Sequence, residues 1–356
     1  MTATADLNAV SKLLVSTDEL RHSGMTDSCI AAAIASGAFV RLRRGWHVPS
    51  AFWGDARPEV RHLAAVLAAH RGAVHPPVFS HLSAAALHSM PAWSNWLRVH
   101  DAAARAPDPL AVHTTLSRLA GASSNRRTIR HRATLPLEDT ESQFELLTTT
   151  PDRTLADLAR TQPFAVALAS ADARLRSLTR IERQVDTAAL TEWRERMAQR
   201  AHALGGVAGS RAIRALAELA NPLADSPLES LSRMRFLQLG IEVRLQVRVP
   251  GPGSRSFYLD FELPGLGFWG EADGRYKYSD ERAGSARSAA DVLYAEKRRA
   301  DWIAGTTGLR LIRWGAREAS SLTRFASHLR AHGVPIPASQ PARWSKETMQ
   351  LLRRLG

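Results

Sequence analysis

Cysteine is nearly missing from the chain: Cys29 is the only one in 356 residues. A single thiol makes no intrachain disulfide and no thiolate zinc cage, so a reducing, cytoplasmic setting is expected. Long apolar runs are missing too. Nothing approaches the roughly 18 to 20 residues that span a bilayer, and "MTATADLNAVSKLLVSTDEL" lacks the parts of a signal peptide. No membrane partner is expected. Acidic residues are in deficit, 34 Asp and Glu against 47 Lys and Arg, for a formal charge of +13. Lysine is scarce, so arginine carries that excess, and its planar fork suits phosphate. A polyanion, most simply DNA, is the expected partner. Hydrophobic residues make up 45% of the chain, which excludes wholesale disorder. The length suggests about two or three domains.

The first fifty residues read as three short helices and a hairpin. "LNAVSKLL" is apolar at helical spacing. "STDELRHSG" opens with Thr17 as the expected N-cap and closes at Gly24, and "MTDSCIAAAIASG" repeats that grammar with Thr26 or Asp27 as cap. "AFVRLRRGWHVPS" alternates around Arg43, Arg44 and Gly45, as a β-hairpin with a basic tip does. This order is that of a winged helix-turn-helix, whose third helix enters the major groove while the wing touches backbone phosphate. Ser28, Arg41, Arg43 and Arg44 are the groups that would reach DNA. The third helix is Ala-rich, with few side chains able to read base edges.

Beyond it, "FSHLSAAALHSMPAW" predicts a helix after Ser80 that stops at Pro91. "WLRVHDA", "LAVHTTL" and "RTIRHRATL" predict strands, with a Gly/Ser/Asn-rich turn between the last two. "PDRTLADLAR" begins a run of helices through Arg200. His75, His81, His88, His100, His113 and His131 lack metal-ligand spacing and are expected at strand edges and the surface. With "STDELRHSGMTDSCIAAAIASGAFVRLRRGWHVPS", "FSHLSAAALHSMP" and "PDRTLADLAR" in view, the N-terminal half resembles the AbiEi antitoxins of type IV toxin–antitoxin systems. The resemblance implies a DNA-binding autorepressor, a transcriptional regulator with a cognate toxin as a second partner.

In the last third, "FYLDFELPGLGFWGEADGRYKY" alternates as a hairpin yet holds Asp260, Glu262, Glu271 and Asp273. A two-residue turn at Pro264-Gly265 would set Leu263 against Leu266 and project all four carboxylates from one face. Asp260 and Glu271 become diagonal neighbours, with Phe261, Phe268 and Ala272 on the core face. Carboxylates gathered this way repel unless something positive sits among them, and Mg²⁺ is the natural occupant. Each has a plainer reading: Glu229 as half of a capping box with Ser226, Asp273-Gly274 as turn chemistry, and Glu262 as a solvated side chain.

Helix, strand, hairpin, helix and strand follow one another from Ser226 to about Arg317, an α/β plan. On "SPLESLSR", "YLDFELPG", "EADGRYKY" and "EKRRADWIAGTTGLRLIRW", this region resembles the PD-(D/E)xK nucleases, nearest the very-short-patch-repair endonucleases. The resemblance implies an Mg²⁺-dependent endodeoxyribonuclease. Asp260 and Glu271 would be the metal ligands, Glu229 would orient a water, and Lys277, with Lys297 as substitute, would be the catalytic cation. Asp273 stands where the motif has its lysine. Lys297, Arg298, Arg299, Arg310, Arg313 and Arg317 supply a basic surface for DNA.

The expected architecture is α/β multidomain. It comprises a winged helix-turn-helix over 1–52, an α+β middle region over 53–205 and a restriction-endonuclease-like mixed sheet flanked by helices over 226–325. A helical tail over 326–356 completes it. Two functions fit: a DNA-binding nuclease using Mg²⁺, or an antitoxin-type autorepressor on a catalytically inactive nuclease fold. A third is a non-catalytic adaptor for a protein toxin.

Overall fold

The computed structural model describes residues 3–92, 97, 108–116, 123–273, 289–337 and 344–355. The chain divides into two compact units, one of Met1–Trp93 with Arg105–Thr161 and one of Ser94–Ala104 with Gln162–Gly356. Both mix helices and sheets, and no helix among the described residues is long and apolar enough to cross a membrane.

The first unit begins α1 (Ala3–Leu13), β1 (Val15–Ser16), α2 (Thr17–His22), α3 (Asp27–Ala35), β2 (Phe39–Arg43) and β3 (Trp46–Pro49), with strand order β1-β3-β2. Ser16, rather than Thr17, caps α2. Its hydroxyl accepts from Glu19 N at 3.0 Å and its own N–H donates to the Glu19 carboxylate at 2.6 Å, a complete capping box. Thr17 Oγ1 instead lies 3.0 Å from His47 Nε2. Thr26 caps α3, and Gly45 turns the hairpin at φ +80°.

There follow α4 (Ser50–Asp55), α5 (Pro58–Arg71), β4 (Val78–Phe79), α6 (His81–Leu87), β5 (Val112–Leu116), β6 (Thr128–Arg132), β7 (Thr140–Gln143), β8 (Leu146–Thr149) and α7 (Pro151–Thr161). The sheet order is β6-β5-β4-β8-β7. β5 and β6 run parallel, Val112 opposite Thr128, a pairing that no tight turn closes, and residues 117–122 between them lie outside the described residues. The strand expected at "WLRVHDA", with His100, falls outside the described residues apart from Leu97, which is not in a strand. Residues 1–52 do not stand alone, because α5 is apolar on two sides. Val60, Ala64 and Ala68 pack with Val10, Leu42 and Val48, while Leu63, Val66 and Ala69 pack with Phe79, Leu87 and Val112. One helix thereby joins two cores.

The histidines correct a second expectation. His81, His113 and His131 are not scattered surface groups but a stack, with ring centroids 3.4 Å apart for His81 and His131 and 5.2 Å for His113 and His131. His81 and His113 are buried. Parallel pairing of β5 and β6 and the start of α6 bring together residues that no sequence spacing links.

The second unit holds α8 (Phe164–Thr179), β9 (Arg180–Ile181), β10 (Gln184–Val185), α9 (Thr187–Ala203), α10 (Ser210–Leu219), α11 (Pro227–Gln238), β11 (Arg244–Pro250), β12 (Ser256–Leu263), β13 (Phe268–Ala272), α12 (Ala289–Thr307), β14 (Arg310–Trp314), α13 (Ala316–Ala319), α14 (Leu322–Ala331) and α15 (Lys346–Arg354). β11, β12, β13 and β14 are neighbours in that order, the first three antiparallel and β14 parallel to β13. Helices from 164 to 203 belong to this unit rather than to a middle domain. The 326–356 segment is not a loose tail, since Gln238 Nε2 donates to the Leu352 carbonyl at 2.8 Å and Leu352 is buried.

On one face of the sheet Phe261 and Trp314 pack with Phe236 and Phe325 at centroid distances near 5 Å. Gly270 is needed there. A Cβ at that position would strike the Trp314 ring at Cη2, would lie 2.8 Å from Cζ3, and would meet Phe261 Cβ at 3.2 Å. Gly270→Ala is therefore expected to destabilise this unit by about 1–3 kcal/mol through overpacking. Urea titration against the parent reads this directly, and an unchanged midpoint would refute it.

Candidate functional site

Local geometry gathers a polar site where β11, β12 and β13 meet α11 and α12. The loop between β12 and β13 has four residues, Pro264 to Gly267, instead of two, because Gly265 and Gly267 both take positive φ, +75° and +81°. Leu263 therefore pairs with Phe268 and not with Leu266. The loop length stays even, so side-chain parity is as expected. The paired register ends at Phe261 opposite Gly270, with Asp260 and Glu271 the next residue of each strand. Ala272 N donates to Asp260 Oδ2 at 2.9 Å and ties the strands together at this point.

Glu229 joins from α11. Ser226 caps that helix through Glu229 N at 3.2 Å, but the Glu229 carboxylate does not close the capping box on Ser226. It accepts from Asp225 N at 2.8 Å and from Gln246 Nε2 at 3.1 Å, and the residue is fully buried. Gln246 Nε2 also lies 3.5 Å from Asp260 Oδ1. Sequence reasoning missed Gln246, a polar side chain on β11 with no motif to mark it. Its backbone is left-handed, φ +51°, an uncommon conformation for a non-glycine residue and one that aims its amide between two carboxylates.

Glu271 has different company. Arg299 Nη1 of α12 lies 2.6 Å from Oε1, and Arg313 Nε of β14 lies 3.0 Å from Oε2. Burial lowers the Arg313 pKa, but the Glu271 hydrogen bond and charge, with Glu296 and Asp273, outweigh it and hold the guanidinium above its ordinary value. Two guanidinium groups thus supply positive charge among the carboxylates, and one neutral amide supplies hydrogen-bond donors. Glu262 is half-buried and lies 3.4 Å from Arg244 on the neighbouring strand β11.

Lys277, expected as the catalytic cation, lies outside the described residues. Lys297 and Arg298 are exposed on α12, whereas Arg299 is drawn inward to Glu271 and donates to the Tyr258 carbonyl at 3.1 Å. Trp269 is a core residue whose indole N–H donates to Thr307 Oγ1 at 2.9 Å. In the first unit Ser28, Arg41 and Arg44 are exposed. Arg43 is not a free wing tip, since its guanidinium donates to the Arg127 carbonyl at 3.0 Å and to Thr128 Oγ1 at 2.6 Å.

Among the described residues, no group of three His, Cys, Asp or Glu side chains is arranged to hold a metal ion. Asp260 and Glu271 offer a smaller, all-oxygen donor pair, which suits a hard cation that keeps most of its waters. In comparisons with known proteins, no family model matches the chain and no curated protein matches it.

Proposed function

We propose that the chain acts on DNA, binding it through an antitoxin-like winged helix in the first unit and hydrolysing phosphodiesters on a nuclease-like sheet in the second. The observation that carries the reading is the placing of Asp260 and Glu271 on adjacent strands, Asp260 bonded to Ala272 N beside Glu271 and linked to Glu229 through Gln246. The helix, three antiparallel strands, helix and parallel fourth strand support a PD-(D/E)xK-like core. Asp260 and Glu271 would hold Mg²⁺, which when bound polarises a phosphoryl oxygen and makes a water more acidic. Glu229 orients the attacking water, with its carboxylate fixed by Asp225 N and Gln246. Lys297 and Arg298 bind flanking phosphates, and Arg299 and Arg313 bring positive charge to the scissile group.

Purified protein incubated with supercoiled plasmid and Mg²⁺ should nick it, and EDTA should stop the reaction. Asp260→Asn and Glu271→Gln preserve shape, so each should fall to the buffer background while remaining folded by circular dichroism. Nicking that persists in both variants would defeat the assignment.

One observation favours a second reading. Asp273 replaces the motif lysine and both Glu271 oxygens are engaged by arginine, as suits an antitoxin-type autorepressor whose nuclease-like sheet is only a platform. In that case plasmid stays intact in every variant, while the protein retains its own promoter fragment and loses it when Arg41 and Arg44 become alanine.

A further inference from the structure

The strongest unassigned feature lies in the first unit, between the β2–β3 hairpin and the β5–β6 edge of the larger sheet. It is an open cavity of about 870 Å³ lined by Arg43, Arg44, Arg126, Arg127 and Arg130, with no Asp or Glu in its walls. Among the described residues none of these five guanidinium groups is ion-paired. Arg43 is turned inward by its bonds to the Arg127 carbonyl and Thr128. Arg130 is held by the Ser123 carbonyl and by its own backbone N–H bond to Ser124 Oγ at 2.8 Å. Arg127 Nη1 is buried and has no hydrogen-bond acceptor.

Such an arrangement costs the folded protein twice. Like charges converge where water screens them poorly, and a buried donor goes unsatisfied. The Arg43 pKa is lowered first by burial and then by the charges of Arg127 and Arg130. A bound anion relieves both costs. Guanidinium forks match phosphate oxygens two at a time, so five of them suit more than one phosphate group. Beside the polar His75, Thr114, Asn125 and Thr128, the wall has an apolar part with Trp46, Val112, Leu116 and Pro76, where Trp46 offers an aromatic surface to a flat ring. The volume lies within the range of small-molecule clefts.

We propose that this cavity binds a nucleoside di- or triphosphate, with the phosphates on the arginine cluster and the base against the Trp46 side. The inference does not rest on the hydrolytic reading, because Glu229, Asp260 and Glu271 belong to the other unit. It also gives Arg43 a role that its inward direction denies it on a wing.

Isothermal titration of the full chain with ATP, inorganic pyrophosphate, adenosine and a 5′-phosphorylated oligonucleotide tests it. ATP should bind most tightly of the three small probes and pyrophosphate more weakly, with no heat from adenosine. Arg127→Gln should weaken ATP by roughly tenfold or more. Arg44→Ala, at an exposed side chain, should act the same way without threatening the fold. Failure of ATP and pyrophosphate to bind, or equal binding by both variants, would overturn the proposal. So would binding of the oligonucleotide alone, which would make the cavity part of a nucleic-acid surface.

Discussion

Asp172→Ala is expected to destabilise the second unit by about 3–5 kcal/mol, a large part of the stability of an ordinary domain. Asp172 on α8 is fully buried and takes Arg233 Nη2 of α11 at 3.1 and 2.9 Å through its two oxygens. It also accepts from Asn221 N at 2.7 Å. Removing the carboxylate leaves a buried guanidinium with only the Leu219 carbonyl to serve it, and that uncompensated charge is where the cost arises. Paired apolar replacement, Asp172→Leu with Arg233→Met, should be far milder, since neither charge is then stranded. Chemical denaturation of the two variants separates these cases. A single variant no worse than the pair would mean that the ion pair does not hold α8 to α11. This bond also ties α8 to α11 within the second unit.

The first unit is expected to lose stability in mild acid. His62 is wholly buried, 2.9 Å from the Pro109 carbonyl and 2.9 Å from Ser83 Oγ, and burial pushes its pKa from 6.5 to about 4 against the smaller pull of Pro109 and Asp108. Burial likewise takes His131 to about 4 and His81 well below its ordinary value, the latter aided by His131, His113, Arg153 and Arg160. The unfolded chain takes up these protons near pH 6.5 and the folded chain only near 4. Between those values the unfolded state binds more protons, so the stability that neutral histidines confer is complete above 6.5 and falls as pH drops toward 4. His62 alone is worth about 3 kcal/mol over that window. Unfolding midpoints at pH 7.5 and 4.5 test this, and His62→Gln should flatten the dependence. Equal midpoints at both values would refute it.

The outcomes differ for particular residues because of what each depended on. Asp260 and Glu271 were legible as neighbours on adjacent strands because alternation and an even loop are local rules. The register was not, since Gly265 and Gly267, both at positive φ, make the loop four residues long. Gln246 could not be read at all. Its place beside Glu229 and Asp260 follows from the packing of α11 on β11 and from one left-handed backbone angle. Arg299 and Arg313 were read as free phosphate contacts, yet they converge on Glu271 because α12 crosses the sheet beside β14. The histidine stack was not legible either, being built by the parallel pairing of β5 and β6 and the start of α6.

By itself the amino-acid order determined the excess of basic charge, many of the helices and strands among the described residues and several of their caps and stops. These depend on neighbours within a few residues or on composition alone. Tertiary structure decided the partition into units, the neutralisation of Glu271, the burial of the histidines and the gathering of five arginines around one cavity. Each of those needs side chains far apart in sequence to meet, and the free energy of such meetings is set by desolvation and charge that no single segment carries.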